Sequence, residues 1–133
     1  MPSVVVDASA LVDLLIGNPG AGAIFERLFR SRARLHAPHT IDVEIASAIH
    51  RLSRRRLLSD RHADEIIDIH RTIPIERHPT ASLLDRMWRL RHNISPYDAA
   101  YVALAESLKL PLLTRDARLA HSSGPAATLE YIA

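Results

Sequence analysis

The chain has 133 residues, 47% of them hydrophobic and 24% charged, with a formal net charge of +2, the mixture of an ordinary folded domain and not of a disordered chain. At this length folding buries roughly two-thirds of the unfolded surface, so a core forms without disulfides or a structural metal. Cysteine is absent, which excludes disulfide scaffolds, Cys-based zinc sites and thiol nucleophiles, and fits a reducing compartment.

In chain order, the opening MPSVVVDASALVDLLIG has no basic residues ahead of its apolar ones and carries Asp7 and Asp13 among them. It reads as neither signal peptide nor membrane span, so a cytoplasmic address is expected. Residues 3–6 form a β-branched strand candidate, and 8–16 continue as a helix stopped at Gly17. Pro19 opens a second helix, to about 30. A short strand at 35–37 precedes Thr40, an N-cap for a helix over 41–52, and Ser59 caps another, to about 70. Residues 72–76 make a weak strand interrupted by Pro74, and 80–91 have helical spacing through Leu83, Leu84, Met87 and Leu90. Ser95-Pro96 then opens a strongly apolar helix to about 109, and the last strand candidates are 112–114 and 128–132. Strands alternating with helices predict an α/β fold, a parallel sheet covered on both faces, as one domain over 1–133.

Basic charge is almost entirely arginine: 16 arginines against the single Lys109. They cluster as Arg27, Arg30, Arg32 and Arg34, then Arg51, Arg54, Arg55 and Arg56, then Arg86, Arg89 and Arg91. Clusters of this kind suit phosphate contact through bidentate guanidinium forks; the plain alternative is a solvated helix face.

In open α/β sheets ligands bind at the carboxyl edge of the strands. Asp7 follows the first strand, and Asp116 follows the strand at 112–114. Glu44 sits beside an apolar stripe of Ile41, Ile45, Ala48 and Leu52, and Asp98 stands at the mouth of the apolar helix. Singly, each has a simpler reading: helix caps for Asp7 and Asp116, a capping box with Ser95 for Asp98, a surface acid for Glu44. Together, four carboxylates at one sheet edge repel unless a cation sits among them, and all-oxygen ligation points to Mg²⁺ or Mn²⁺.

The stretches VVVDASALVDLL (4–15), APHTIDVEIASAIHRL (37–52) and RHNISPYDAAYVALAESLKLPLLTRDARLA (91–120) resemble a PIN domain, specifically the VapC toxins of bacterial toxin–antitoxin pairs. That resemblance implies a three-layer sandwich with a central, mainly parallel sheet. It also implies a metal-dependent endoribonuclease in which Asp7, Glu44, Asp98 and Asp116 hold Mg²⁺ or Mn²⁺, with Thr114, Ser9 and Asn93 at polar positions near the metal. Asp7 and Asp98 are the expected direct or bridging ligands, with Glu44 and Asp116 orienting water or completing the shell. Such sites hydrolyse phosphodiesters with metal-activated water, and the family leaves a 5′-phosphate and a 3′-hydroxyl. A homodimer restrained by a VapB-type antitoxin is implied as well. Apart from the resemblance, the arginine clustering on a nearly neutral chain leads to the expectation that Arg54, Arg55 and Arg56 guide RNA to the acidic pocket, whose carboxylates alone would repel a phosphate backbone.

Competing sites are weaker. His36 and His39 flank a strand end and His62, His70 and His78 recur every eighth residue, but there is no H-E-x-x-H, so these read as surface or supporting histidines. Gly17, Gly20 and Gly22 have the wrong order for a dinucleotide fingerprint. An aspartyl-nucleophile phosphohydrolase wants a second Asp where Ser9 stands, and a receiver domain wants a lysine at a strand end. Trp88 and Tyr101 are expected in the core. The alternative function is a noncatalytic RNA-binding or regulatory protein that keeps the fold. The apolar surface of Leu11, Leu14, Leu15, Ile24, Leu28 and Phe29 is broad enough to suggest a docked partner helix.

Overall fold

A computed structural model describes residues 2–133. Five strands form one parallel sheet: β1 (Ser3–Val6), β2 (Arg34–Pro38), β3 (Ile75–His78), β4 (Leu112–Thr114) and β5 (Leu129–Tyr131), in the order β3-β2-β1-β4-β5. In β1 the successive residues Val4, Val5 and Val6 are all fully buried. Since neighbouring strand residues point to opposite faces, both faces of the sheet are covered, which is the three-layer arrangement.

The covering helices are α1 (Ala8–Ile16), α2 (Ala21–Phe25), α3 (Ile41–Arg54), α4 (Asp60–Thr72), α5 (Leu84–Arg89), α6 (Pro96–Leu108) and the single turn α7 (Ala117–Ala120). α1, α3 and α4 pack on one another, while α6 packs against β1, β2, β4 and α5. α6 is buried over seven consecutive residues, Ala99 to Ala105. A helix apolar all round needs neighbours all round, and its four alanines let sheet and α5 approach closely. Ser95 caps it by accepting the Asp98 amide at 3.2 Å, Pro96 occupies its first turn, and Lys109 ends it at φ 57°.

Several boundaries depart from the sequence reading for identifiable reasons. The helix predicted to start at Pro19 begins at Ala21, behind Gly20 at φ 97°, where a Cβ would lie 2.6 Å from Arg115 Nη1. It ends in a widened π turn over Glu26–Arg30. Pro74 precedes β3 instead of interrupting it, because α4 runs on to Thr72 and the strand starts only at Ile75. The predicted helix over 80–91 is shortened to a 3₁₀ turn, Ala81–Leu83, followed by α5. Along α3 the fully inward stripe is Ile41, Ile45 and Ile49, with Thr40 making no side-chain cap. Leu11, Ile24 and Leu28 are consumed by this chain's own core, with Leu14, Leu15 and Phe29 packed at its margin, so the broad apolar surface inferred for α1 and α2 is largely internal.

Candidate active site

The strand order reverses direction at β1: the chain proceeds outward through β2 and β3, then crosses back to lay β4 on the other side. The crevice beyond the carboxyl ends of β1 and β4 is therefore the topological switch point, where open α/β sheets bind ligands. Asp7 and Asp116 stand on its two sides, and the Asp7 amide donates to the Leu113 carbonyl at 3.1 Å. Glu44 enters from the first turn of α3 and Asp98 from the first turn of α6.

Asp7 is 4% exposed. Its Oδ1 accepts the Ser9 hydroxyl at 2.6 Å and the Ala10 amide at 3.0 Å, capping α1, while Oδ2 accepts the hydroxyl of fully buried Thr114. Burial nevertheless pushes its carboxyl up to about 6, and the nearby Asp98 charge adds to the rise; the three hydrogen bonds only partly oppose it. Burial likewise pushes Glu44 up, with further repulsion from Asp7 and Asp98. Tyr101, at 1% exposure, donates its hydroxyl to Glu44 Oε2 at 2.6 Å and is itself held neutral, raised by burial and by that carboxylate. The Thr40 hydroxyl pulls on the same carboxyl, although its Oγ1 makes no hydrogen bond of full geometry. Asp98 is pushed up by burial and then by Asp116; Ser95 and Arg118 pull the other way. Asp116 caps α7 through Oδ1, which accepts the Arg118 and Leu119 amides at 2.9 and 3.4 Å.

The helix-cap reading of Asp7 and Asp116 is thus correct as geometry and does not compete with their clustering, since both cap through Oδ1 and the Asp7 Oδ2 accepts only the Thr114 hydroxyl. The four acids form one mutually repelling edge. They are not drawn into a single ion's shell: among the described residues, the only trio of possible ligand atoms lying within 4.8 Å of one another is His36, Glu76 and His78. That trio is a grouping the sequence reading did not make, having set His36 and His78 aside as surface or supporting histidines. Spacing along the chain hides it, because His36 and His78 meet only through the pairing of β2 with β3. Burial pushes the His36 imidazole down, toward its neutral form.

Ser9 also accepts the Arg115 amide at 3.2 Å and Thr114 accepts the Asp116 amide at 3.0 Å, so these two hydroxyls tie the ends of β1 and β4 together. Asn93 shares a depression with Asp98, Asp116 and Arg118. Arg54, Arg55 and Arg56 are exposed at the far end of α3. A groove lined by Ser9, Glu44, Ser47, Arg51 and Tyr97 adjoins one lined by Ser47, His50, Arg51, Arg54 and Arg55, so α3 connects the acidic edge to the arginines. Trp88 is outside the core, at 62% exposure, with the Arg91 guanidinium 4.5 Å from its ring centre. The expectation of a core position rested on aromatic character; Trp88 instead shares an exposed flank of α5 with Leu84, one turn before it, while Tyr101 is in the core as expected.

Comparison with known proteins gives a match to the PIN domain over residues 4–124. The chain is 40% identical to Ribonuclease VapC9 of Mycobacterium tuberculosis over 116 residues, 87% of each chain. It is 38% identical to Ribonuclease VapC12 of the same organism over 130 residues, 98% of this chain and 99% of that one. Among solved structures it is similar to VapBC2 from Rickettsia felis bound to a DNA fragment from their promoter, with a TM-score of 0.72, 13% identity, and coverage of 98% of this chain and 99% of the other.

Proposed function

The chain belongs to the PIN-domain family and, within it, to the VapC ribonucleases; from that premise we propose that it is a divalent-metal-dependent endoribonuclease, the toxin of a type II toxin–antitoxin pair. The observation that carries the chemistry is the edge made by Asp7, Glu44, Asp98 and Asp116, in which Asp7 is buried with no basic side chain acting on it. An uncompensated buried carboxylate beside three others fits a hard cation by the chemistry of its donors, all oxygen and all anionic. In this reading Asp7 and Asp98 hold Mg²⁺, for which Mn²⁺ substitutes, and Glu44 and Asp116 complete the shell or orient water. The bound cation supplies Lewis acidity toward water and the scissile phosphate.

The protein's own groups do the rest. Ser9 and Thr114 fix the Asp7 carboxylate so that both of its oxygens are oriented before substrate arrives. Tyr101 takes one oxygen of Glu44 and leaves Oε1 for the crevice. Arg51, Arg54 and Arg55 line the groove that leads along α3 to that crevice, and together with Arg56 they attract a phosphate backbone that the carboxylates alone would repel. Tyr97, exposed in the same groove, offers a ring on which a base stacks. Asn93 is positioned to contact substrate beside Asp98.

Cleavage of labelled RNA by tag-free protein tests the reading. Cleavage with Mg²⁺, 5′-phosphate ends, and loss in excess EDTA or on Asp98→Asn are expected; undiminished cleavage in EDTA or by Asp98→Asn would overturn it. A Mg²⁺ titration that left thermal stability flat would favour the noncatalytic alternative. The cytoplasmic address, the homodimer and restraint by a VapB-type antitoxin belong to the same proposal; among the described residues no single helix is long and apolar enough to cross a membrane. Co-expression with the product of the neighbouring upstream gene, followed by complex mass and cleavage before and after separation, checks the partner.

A further inference from the structure

His36 lies on β2, and Glu76 and His78 lie on β3. His36 pairs directly with Glu76, and His78 pairs with Pro38, two residues along from His36. The alternation of strand side chains therefore puts all three on one face of the sheet. His36 Nδ1 is 3.0 Å from His78 Nε2 and 3.5 Å from Glu76 Oε2. The two rings are tilted by 33° with centres 5.2 Å apart.

We infer that His36, Glu76 and His78 form a second metal site, for a borderline transition-metal ion of the Zn²⁺ class, that clips the edge strand β3 to β2. Two imidazole nitrogens and one carboxylate oxygen with an open fourth position is a donor set that suits Zn²⁺ and Co²⁺ and not Mg²⁺, which prefers oxygen throughout. At Zn–N distances of about 2.0–2.1 Å, two nitrogens on one tetrahedral ion lie roughly 3.3 Å apart, so the pair needs to open by only a few tenths of an ångström. The His36 side chain is 12% exposed and the Glu76 side chain 66% exposed, giving the ion a buried wall and a solvent side for water as fourth ligand.

β3 has four residues and sits at the end of the sheet, the kind of strand most in need of a fastener. Its alternate residue Arg77 donates to Asp42 Oδ2 at 2.6 Å and to Oδ1 at 2.8 Å, linking β3 to the first turn of α3, two residues before Glu44. The cluster shares no residue with the acidic edge, and β3 is two strands, about 10 Å, from β1.

The test uses tag-free, chelator-stripped full chain in the Asp98→Asn background, which weakens the acidic edge and makes the outcome independent of ribonuclease activity. Zn²⁺ at a hundredfold excess over its Kd is expected to raise Tm by on the order of 10 °C, and Co²⁺ to give visible absorption bands of a four- or five-coordinate site. Both effects should vanish in His36→Gln and His78→Gln. Glu76→Gln, at an exposed side chain that the fold does not need, should weaken Zn²⁺ binding roughly tenfold or more. No shift in the parent protein, bands that survive either histidine substitution, or an unchanged affinity in Glu76→Gln would overturn the site.

Discussion

Two sets of carboxylates in this molecule have met opposite fates. Asp42, Glu106 and Glu130 are each gripped by both prongs of an arginine, Arg77, Arg86 and Arg27, and Asp13 takes Arg115 Nε at 2.9 Å. Asp7, Glu44 and Asp98, at the crevice, have no such fork. Asp42 and Glu106 are therefore shifted down while Asp7, Glu44 and Asp98 are shifted up, the same residue types moving in opposite directions. The Arg77 fork, aided by His70, holds Asp42 down at about 2. Burial would raise Glu106, but Arg86 and the Ala126 amide outweigh it and hold that carboxyl low. Burial lifts Asp7 to about 6. Paired carboxylates fasten the fold; the unpaired edge stores repulsion that a cation relieves.

The largest expected effect separates the two sets by activity. Asp98→Asn should lower RNA cleavage by roughly 10²- to 10³-fold or more, whereas Asp42→Asn should change it by only a few-fold in protein that is still folded. Equal losses in the two variants, measured under single-turnover conditions, would erase the distinction.

Stability should divide them the other way. Glu106→Ala removes the partner of Arg86 and the acceptor of the Ala126 amide. It should cost about 2–3 kcal/mol in denaturant unfolding, with catalytic competence intact below the new transition.

A third test uses pH. Asp7 has a folded-state value above its ordinary 3.8, so the metal-free fold loses stability as pH rises from about 4 through about 6, by up to about 3 kcal/mol at completion. Asp7→Asn removes that loss but replaces an acceptor of the Thr114 hydroxyl. A net gain of about 1–2 kcal/mol at pH 8 is expected, with none at pH 4. Asp42 slopes the opposite way: its contribution is present above about pH 4 and is lost as pH falls through about 2. Chemical denaturation of metal-free protein across this range measures both. A metal-free Asp7→Asn protein less stable than its parent at pH 8 would show that the hydrogen bonds, and not the repulsion, dominate this carboxylate.

The smallest effect concerns the arginines left outside the ion pairs. Among the described residues Arg54, Arg55 and Arg56 take part in no salt bridge, while Arg27, Arg77, Arg86 and Arg115 do. Replacing the three together by alanine should weaken RNA binding several-fold and reduce the salt slope by up to about 2, with Tm unchanged. An unaltered slope would return them to the role of a solvated face.

Local chemistry made much of this legible in the chain. A β-branched run ending in Asp7, Gly17 stopping α1, and Ser95-Pro96 opening α6 are decisions taken within a few residues, and the structure places them as read. The acids were legible only as a group: each stands at a strand end or in the first turn of a helix, where singly it reads as a cap or a surface acid, and it was their convergence and the family resemblance that set them together. What the sequence could not decide is anything settled by partners distant in the chain. It could not tell which arginines are already held by carboxylates, since Arg27 meets Glu130 and Arg115 meets Asp13 across about a hundred residues. It placed Trp88 inside when α5 leaves it out, and it passed over His36 and His78, which only the register of β2 on β3 brings to 3.0 Å. Backbone propensity and capping act over one or two turns and are written in the sequence, whereas burial, ion pairing and ligand geometry depend on where the sheet lays strands side by side.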